Sequence, residues 1–180
     1  MQMGNFSIYD QPAQPADMST PLKSAVVMFE DSVRYDQLET GAFFDRNGTK
    51  LLSKQGKPRQ VTFSLSDLAN MQGTIFAHNH PGGGCFSPVD VMTACDLQLV
   101  ELRVVTDQFR FSFRCGGGAW PASTEIVPAI ANFSASARNE VKHMQHTGQL
   151  PRQHQQAELE FRLWLRVAFH FGLIFNRERS

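Results

Sequence analysis

Gly73-Thr74-Ile75-Phe76-Ala77-His78-Asn79-His80-Pro81-Gly82-Gly83-Gly84-Cys85-Phe86-Ser87-Pro88-Val89-Asp90 is the stretch on which the reading of this chain turns. Its first five residues form a short apolar run suited to a strand buried on both faces, with the histidines at its C-terminal end. Two imidazoles one residue apart point the same way from an extended strand. The glycines that follow permit a sharp return of the chain. Ser87-Pro88-Val89-Asp90 then carries a helix-start signature: Ser at the N-cap, Pro at the first helical position and an acid at the third. Val91, Ala94, Cys95 and Gln98 continue at helical spacing. Strand, loop and helix N-terminus thus converge on one point, where functional groups often gather in α/β folds.

His78, His80 and Asp90 make a candidate three-ligand set for Zn²⁺, because catalytic zinc takes three protein N/O ligands and leaves a position to water. Each residue also has a plainer reading. Ser87 and Asp90 alone read as a capping pair, and either histidine alone as an ordinary surface or core residue. The combination of both imidazoles at one strand end with a carboxylate on the adjoining helix turn favours a metal. A cap at Ser87 leaves its hydroxyl free to face a substrate.

His-x-His-Pro, a Gly-rich connection and Ser-x-x-Asp resemble the JAMM (MPN+) zinc metalloprotease superfamily, with His78-Asn79-His80-Pro81 spelled as in its RadC-like branch. The resemblance is closer to the JAB-like domains of bacterial polymorphic toxins and phage head-morphogenesis proteins. It is carried by Glu39 to Gly48, Phe86 to Asp90, Arg103 to Thr106 and Gly118-Ala119-Trp120-Pro121, and it covers roughly residues 35 to 178. Six residues separate His80 from Ser87, one fewer than in the eukaryotic and RadC-like members.

The resemblance implies that His78, His80 and Asp90 hold Zn²⁺, that Glu39 acts as general base and that Ser87 donates to the developing oxyanion. The implied reaction is hydrolysis of a peptide or isopeptide bond in a protein substrate, in a toxin, effector or phage setting. An immunity or capsid protein would then be a partner. On the residues alone Glu30 competes with Glu39, since each reads as a charge at a strand end. The family pattern favours Glu39.

With 180 residues and 42% hydrophobic content, there is material for one domain with a good core. Net charge is zero, so no basic field argues for nucleic acid or an anionic membrane. Cys85, Cys95 and Cys115 lack C-x-x-C spacing, against a disulfide scaffold or a thiolate zinc site. Cys85 reads as a loop-filling side chain rather than a fourth ligand. No stretch reads as a signal peptide or a bilayer span. A cytoplasmic location with reduced thiols is expected, or delivery by a signal-independent secretion machine.

Residues 1–22 read as a flexible arm, 23–121 as a JAB-like core and 122–180 as a C-terminal helical extension packed on it. Strands are expected at 24–30, 40–45, 49–53, 60–64, 73–78, 102–106 and 109–114, with helices at 65–71, 88–99, 123–147 and 151–172. His143, His146, His154 and His170 are expected to be solvated or capping rather than a second metal site. The fold class is α/β: a mixed, curved sheet with flanking helices, layered as in the JAB/MPN and cytidine deaminase folds, plus a C-terminal helical pair. Two further function classes stay open, a catalytically silent JAB-like protein-binding module and a metal-dependent nuclease. The nuclease is suggested only by the letters His-Asn-His, which in nucleases come from separated positions.

Overall fold

In the computed structural model, which describes residues 8–180, Thr20 caps the first helix by accepting from the Lys23 amide at 3.2 Å. This helix, α1 (Pro21–Val33), has Pro at its first turn. Val26, Phe29 and Val33 recur along it at helical spacing and are buried. The strand expected at 24–30 is therefore corrected to a helix. The run Ala25 to Phe29 is apolar throughout, so it mimics a buried strand, while the Thr20-Pro21 cap is the signal that marks the helix.

Six strands follow: β1 (Thr40–Phe44), β2 (Lys50–Gln55), β3 (Ile75–Asn79), β4 (Glu101–Val105), β5 (Phe109–Cys115) and β6 (Leu173–Arg179). They form one open sheet in the order β2-β1-β3-β4-β5-β6. Only β3 and β4 run parallel, joined by helix α3 (Pro88–Asp96); the remaining neighbours are antiparallel. A one-turn helix α2 (Leu65–Leu68), a long helix α4 (Ile126–His146) and helix α5 (Gln155–Phe171) complete the α/β architecture, with α4 and α5 as a C-terminal pair. Among the described residues no helix is long and apolar enough to cross a membrane.

The sheet has a helix layer on each face. Ala42, Phe44, Ile75, Ala77 and Val105 face α1, whereas Phe43, Phe76, Val104 and Phe113 face α3, α4 and α5. Period-two alternation along β3 thus sends Phe76 and His78 into the larger core, with their rings stacked at 4.8 Å. Gly41 of β1 lies opposite His78, and a Cβ there would come within 2.8 Å of the Phe76 ring.

Two further expectations are corrected. Residues 60–64 form no strand; Gln60 makes only an isolated bridge with Lys57. Their alternation is answered by packing instead, with Phe63 edge-on to Phe43 at 5.1 Å, and Ser64 begins the capping box of α2. Conversely, β6 follows the expected helix without a break. Gly172 takes the left-handed conformation (φ 66°) that ends α5, and the chain turns straight into pairing with β5. Leu173 and Phe175 are buried, but the charged residues beyond them hide the strand pattern.

Of the arm read at 1–22, residues 1–7 lie outside the described residues. Tyr9 is buried: its hydroxyl donates to Glu158 of α5, and its ring stacks on His154 at 3.9 Å. Pro21 and Leu22 already belong to α1.

Glu30 is fully buried and does not sit at a strand end. Its carboxylate receives Arg103 Nε at 2.6 Å and Arg110 Nε at 2.9 Å. Glu30→Ala leaves two shielded guanidinium groups without their shared counter-charge, a loss of about 3–5 kcal/mol. Urea unfolding should read this loss, and a change below about 1 kcal/mol, the level of an exposed pair, would show that the network is dispensable.

Candidate metal centre

β3 brings His78 and Asn79 to its C-terminal end, and the His80 amide continues the ladder by donating to Val105 at 2.9 Å. The chain then folds back through Gly83, whose φ of 76° suits glycine. Ser87 caps α3, accepting from the Asp90 amide at 3.2 Å, while the Ser87 amide donates to Asp90 Oδ2 at 2.6 Å. The capping pair and the meeting with the histidines coexist in one geometry. Asp90 lies with Oδ1 3.5 Å from His78 Nε2 and Oδ2 3.5 Å from His80 Nε2.

The two Nε2 atoms are 3.0 Å apart. Zinc–ligand bonds of about 2.0–2.1 Å in a tetrahedron place neighbouring ligand atoms about 3.3 Å from one another. The imidazole pair is close to that value, and Asp90 approaches each ring with a different oxygen at 3.5 Å, so two rings and a carboxylate face a common point of the size a small cation needs. His80 Nδ1 is 3.1 Å from the Gly84 carbonyl, which must accept from it, so in the neutral ring the Nε2 lone pair faces Asp90 and His78. His78 is fully buried, and its Nδ1 has no hydrogen-bond partner among the described residues.

Glu39, immediately before β1, is the fourth member. Its carboxylate offers an oxygen that lies, with one nitrogen of each histidine, in a cluster spanning no more than 4.8 Å. Its backbone is tied on both sides: the amide donates to Lys57 at 2.9 Å and the carbonyl accepts from Gly56 at 2.8 Å. Sequence reasoning passed over Asn79, which points to the opposite face from His78. Its Oδ1 accepts from the Thr40 amide at 2.6 Å and its Nδ2 donates to Leu38 at 3.1 Å. One side chain thereby grips the residues flanking Glu39. The available signal was a buried amide in a strand otherwise apolar up to its histidines.

Electrostatics in the pocket are dominated by the two acids. Burial opposes ionisation of Asp90, yet the charges and hydrogen bonds of His78 and His80 outweigh it and hold the carboxyl far below the usual range. Burial likewise works against the His80 imidazolium, but Asp90 and then Glu39 push its pKa upward on balance. The two shifts are the two sides of one pairing: the histidines favour the Asp90 anion, and Asp90 with Glu39 favours the His80 cation. Cys85 faces the core instead: burial raises its thiol well above the ordinary value, which suits packing and not ligation.

The cluster opens to a cleft of about 490 Å³ lined by Glu39, Arg59, Val61, His80, Ser87 and Val89, among others. Ser87 uses its oxygen as a cap acceptor, so its O–H remains available toward the cleft. The two candidate general bases lie in different surroundings. Glu30 is engaged with Arg103 and Arg110, whereas Glu39 is beside the imidazoles. Of the histidines on the C-terminal helices, His154 stacks on Tyr9 and His170 lies against Phe133 at 5.4 Å. Compared with known proteins, the chain matches no family model, no curated protein and no solved structure.

Proposed function

We propose that the protein is a zinc-dependent hydrolase of peptide or isopeptide bonds, of the JAMM type that its His-x-His-Pro and Ser-x-x-Asp motifs resemble. The observation that carries the reading is the meeting of His78, His80 and Asp90 at 3.0–3.5 Å, with the Glu39 carboxylate beside them at the mouth of a cleft. His78, His80 and Asp90 would hold the ion. Bound there, Zn²⁺ supplies Lewis acidity that brings the pKa of water toward neutrality.

The chain's own groups do the remaining work. Glu39 takes a proton from water and returns it to the leaving amine, a two-way transfer that its carboxylate can perform only if it stays at hydrogen-bond reach of both. Asn79 and the Gly56–Lys57 peptides keep it there. Ser87 donates a hydrogen bond from its hydroxyl to the carbonyl oxygen as negative charge develops there. The apolar wall at Val61 and Val89 accommodates an extended chain better than a polyanion, and the zero net charge gives no field for one.

The test is cleavage by the purified, zinc-loaded chain of a peptide mixture and of lysate proteins, read as new amino termini by mass spectrometry. Cleavage should stop with chelator and return with zinc. Zinc uptake without any cleavage would favour a silent binding module, and nicking of plasmid DNA that requires the same histidines would replace the peptidase reading with a nuclease. Ser87→Ala should keep the metal and lower turnover by about 10²–10³-fold, the usual cost of removing one oxyanion donor.

A further inference from the structure

Helix α5 reaches across the larger core and takes hold of the glycine loop at two successive residues. Glu160 Oε2 accepts from the Cys85 amide at 2.8 Å, and one turn later Trp164 Nε1 donates to the Phe86 carbonyl at 2.8 Å. Trp164 is buried, whereas Glu160 is half-buried and has its other oxygen bonded by Gln156 at 2.8 Å. Residues 85 and 86 sit between His80 and the Ser87–Asp90 cap. The Glu160 carboxylate also lies flush against Gly84, where a Cβ would come within 3.1 Å of it. Gly84 in turn presents the carbonyl that fixes the His80 ring.

We propose that Glu160, with Trp164, is a positioning residue of the metal centre: it clamps the 84–86 backbone so that the Gly84 carbonyl holds His80 with Nε2 free for the ion. The proposal rests on the zinc reading above, but its mechanical part concerns the chain alone. A metal-ligating imidazole is oriented by the partner of its second nitrogen, and here that partner is a loop carbonyl, which is only as fixed as the loop. The loop carries three successive glycines and has little stiffness of its own. Two side chains one helical turn apart supply it from outside. This makes the C-terminal helical pair part of the site and not an appendage to it.

The experiment compares wild type with Glu160→Ala, Glu160→Gln and, as a control on the same helix, Arg166→Ala, whose partners are Glu140, Ser136 and Arg162 and not the loop. Three readings are taken: the ¹⁵N shifts of His80 in metal-free protein at a pH high enough for the ring to be neutral, the Zn²⁺ dissociation constant by chelator competition, and the visible absorption of Co²⁺-loaded protein. Glu160→Ala should mix the His80 tautomers, weaken Zn²⁺ about tenfold and alter the Co²⁺ band. Glu160→Gln retains an acceptor for the Cys85 amide and should stay within about threefold of wild type. Arg166→Ala should match wild type in all three.

A Glu160→Ala protein with the wild-type His80 pattern and wild-type zinc affinity overturns the proposal. So does a Glu160→Gln protein as weak as Glu160→Ala, which would assign the effect to charge and not to the clamp. If wild type itself takes up neither Zn²⁺ nor Co²⁺, the hydrolase reading falls. The His80 tautomers still decide the clamp: mixed in Glu160→Ala they support it, unchanged they reject it.

Discussion

Glu39→Gln is expected to bind zinc stoichiometrically, as wild type does, and to lose hydrolysis by about 10²–10⁴-fold, the usual contribution of a positioned acid–base group. The amide is nearly isosteric with the carboxylate, so the ties of the Glu39 backbone to Gly56 and Lys57, and the Asn79 grip on its neighbours, should persist. What disappears is the capacity to accept a proton. The ion should stay because its proposed ligands are His78, His80 and Asp90, whose mutual distances do not involve residue 39. Parallel measurements of metal content and turnover are required. Loss of zinc would make Glu39 a ligand in place of Asp90, and unchanged turnover would remove it from the chemistry.

The second large effect is on the metal itself. His80→Ala and His78→Ala should each abolish stoichiometric zinc, because two ligands cannot hold the ion against solvent and the remaining carboxylate is already engaged by the Ser87 amide. The two variants differ in cost to the fold. His78 is fully buried and stacked on Phe76, so its loss also opens a cavity, whereas His80 is partly exposed. His80→Ala is therefore the cleaner reading, taken by elemental analysis at a temperature where both variants remain folded. Retention of zinc in both would mean that the cluster is a hydrogen-bonded knot and nothing more.

The centre of the fold and the candidate site were legible in the same residues. Apolar β3, the glycine turn and the Ser87–Asp90 cap are local signals, and local signals survive in a single sequence. The choice between Glu30 and Glu39 was not of that kind. Both are acids beside apolar runs, and only the long-range pairing of α1 with Arg103 and Arg110 distinguishes the buried counter-charge from the cleft residue. Strand β6 was obscured for a related reason. Asn176, Arg177, Glu178 and Arg179 carry no hydrophobic alternation, and their strand state comes from the edge that β5 offers. Asn79 was hidden between two more conspicuous neighbours; its role appears only once the sheet sends it to the other face.

The pairing of β5 with β6 has a kinetic consequence. These strands are adjacent in space, yet everything from Gly116 to Gly172 lies between them along the chain, and such distant partners meet late because a long loop must close first. Helix α5 runs directly into β6, so its final seating awaits the same closure. Acquisition of the ion should then follow the slowest phase of refolding, and a stopped-flow zinc indicator would lag behind the early gain of helical signal.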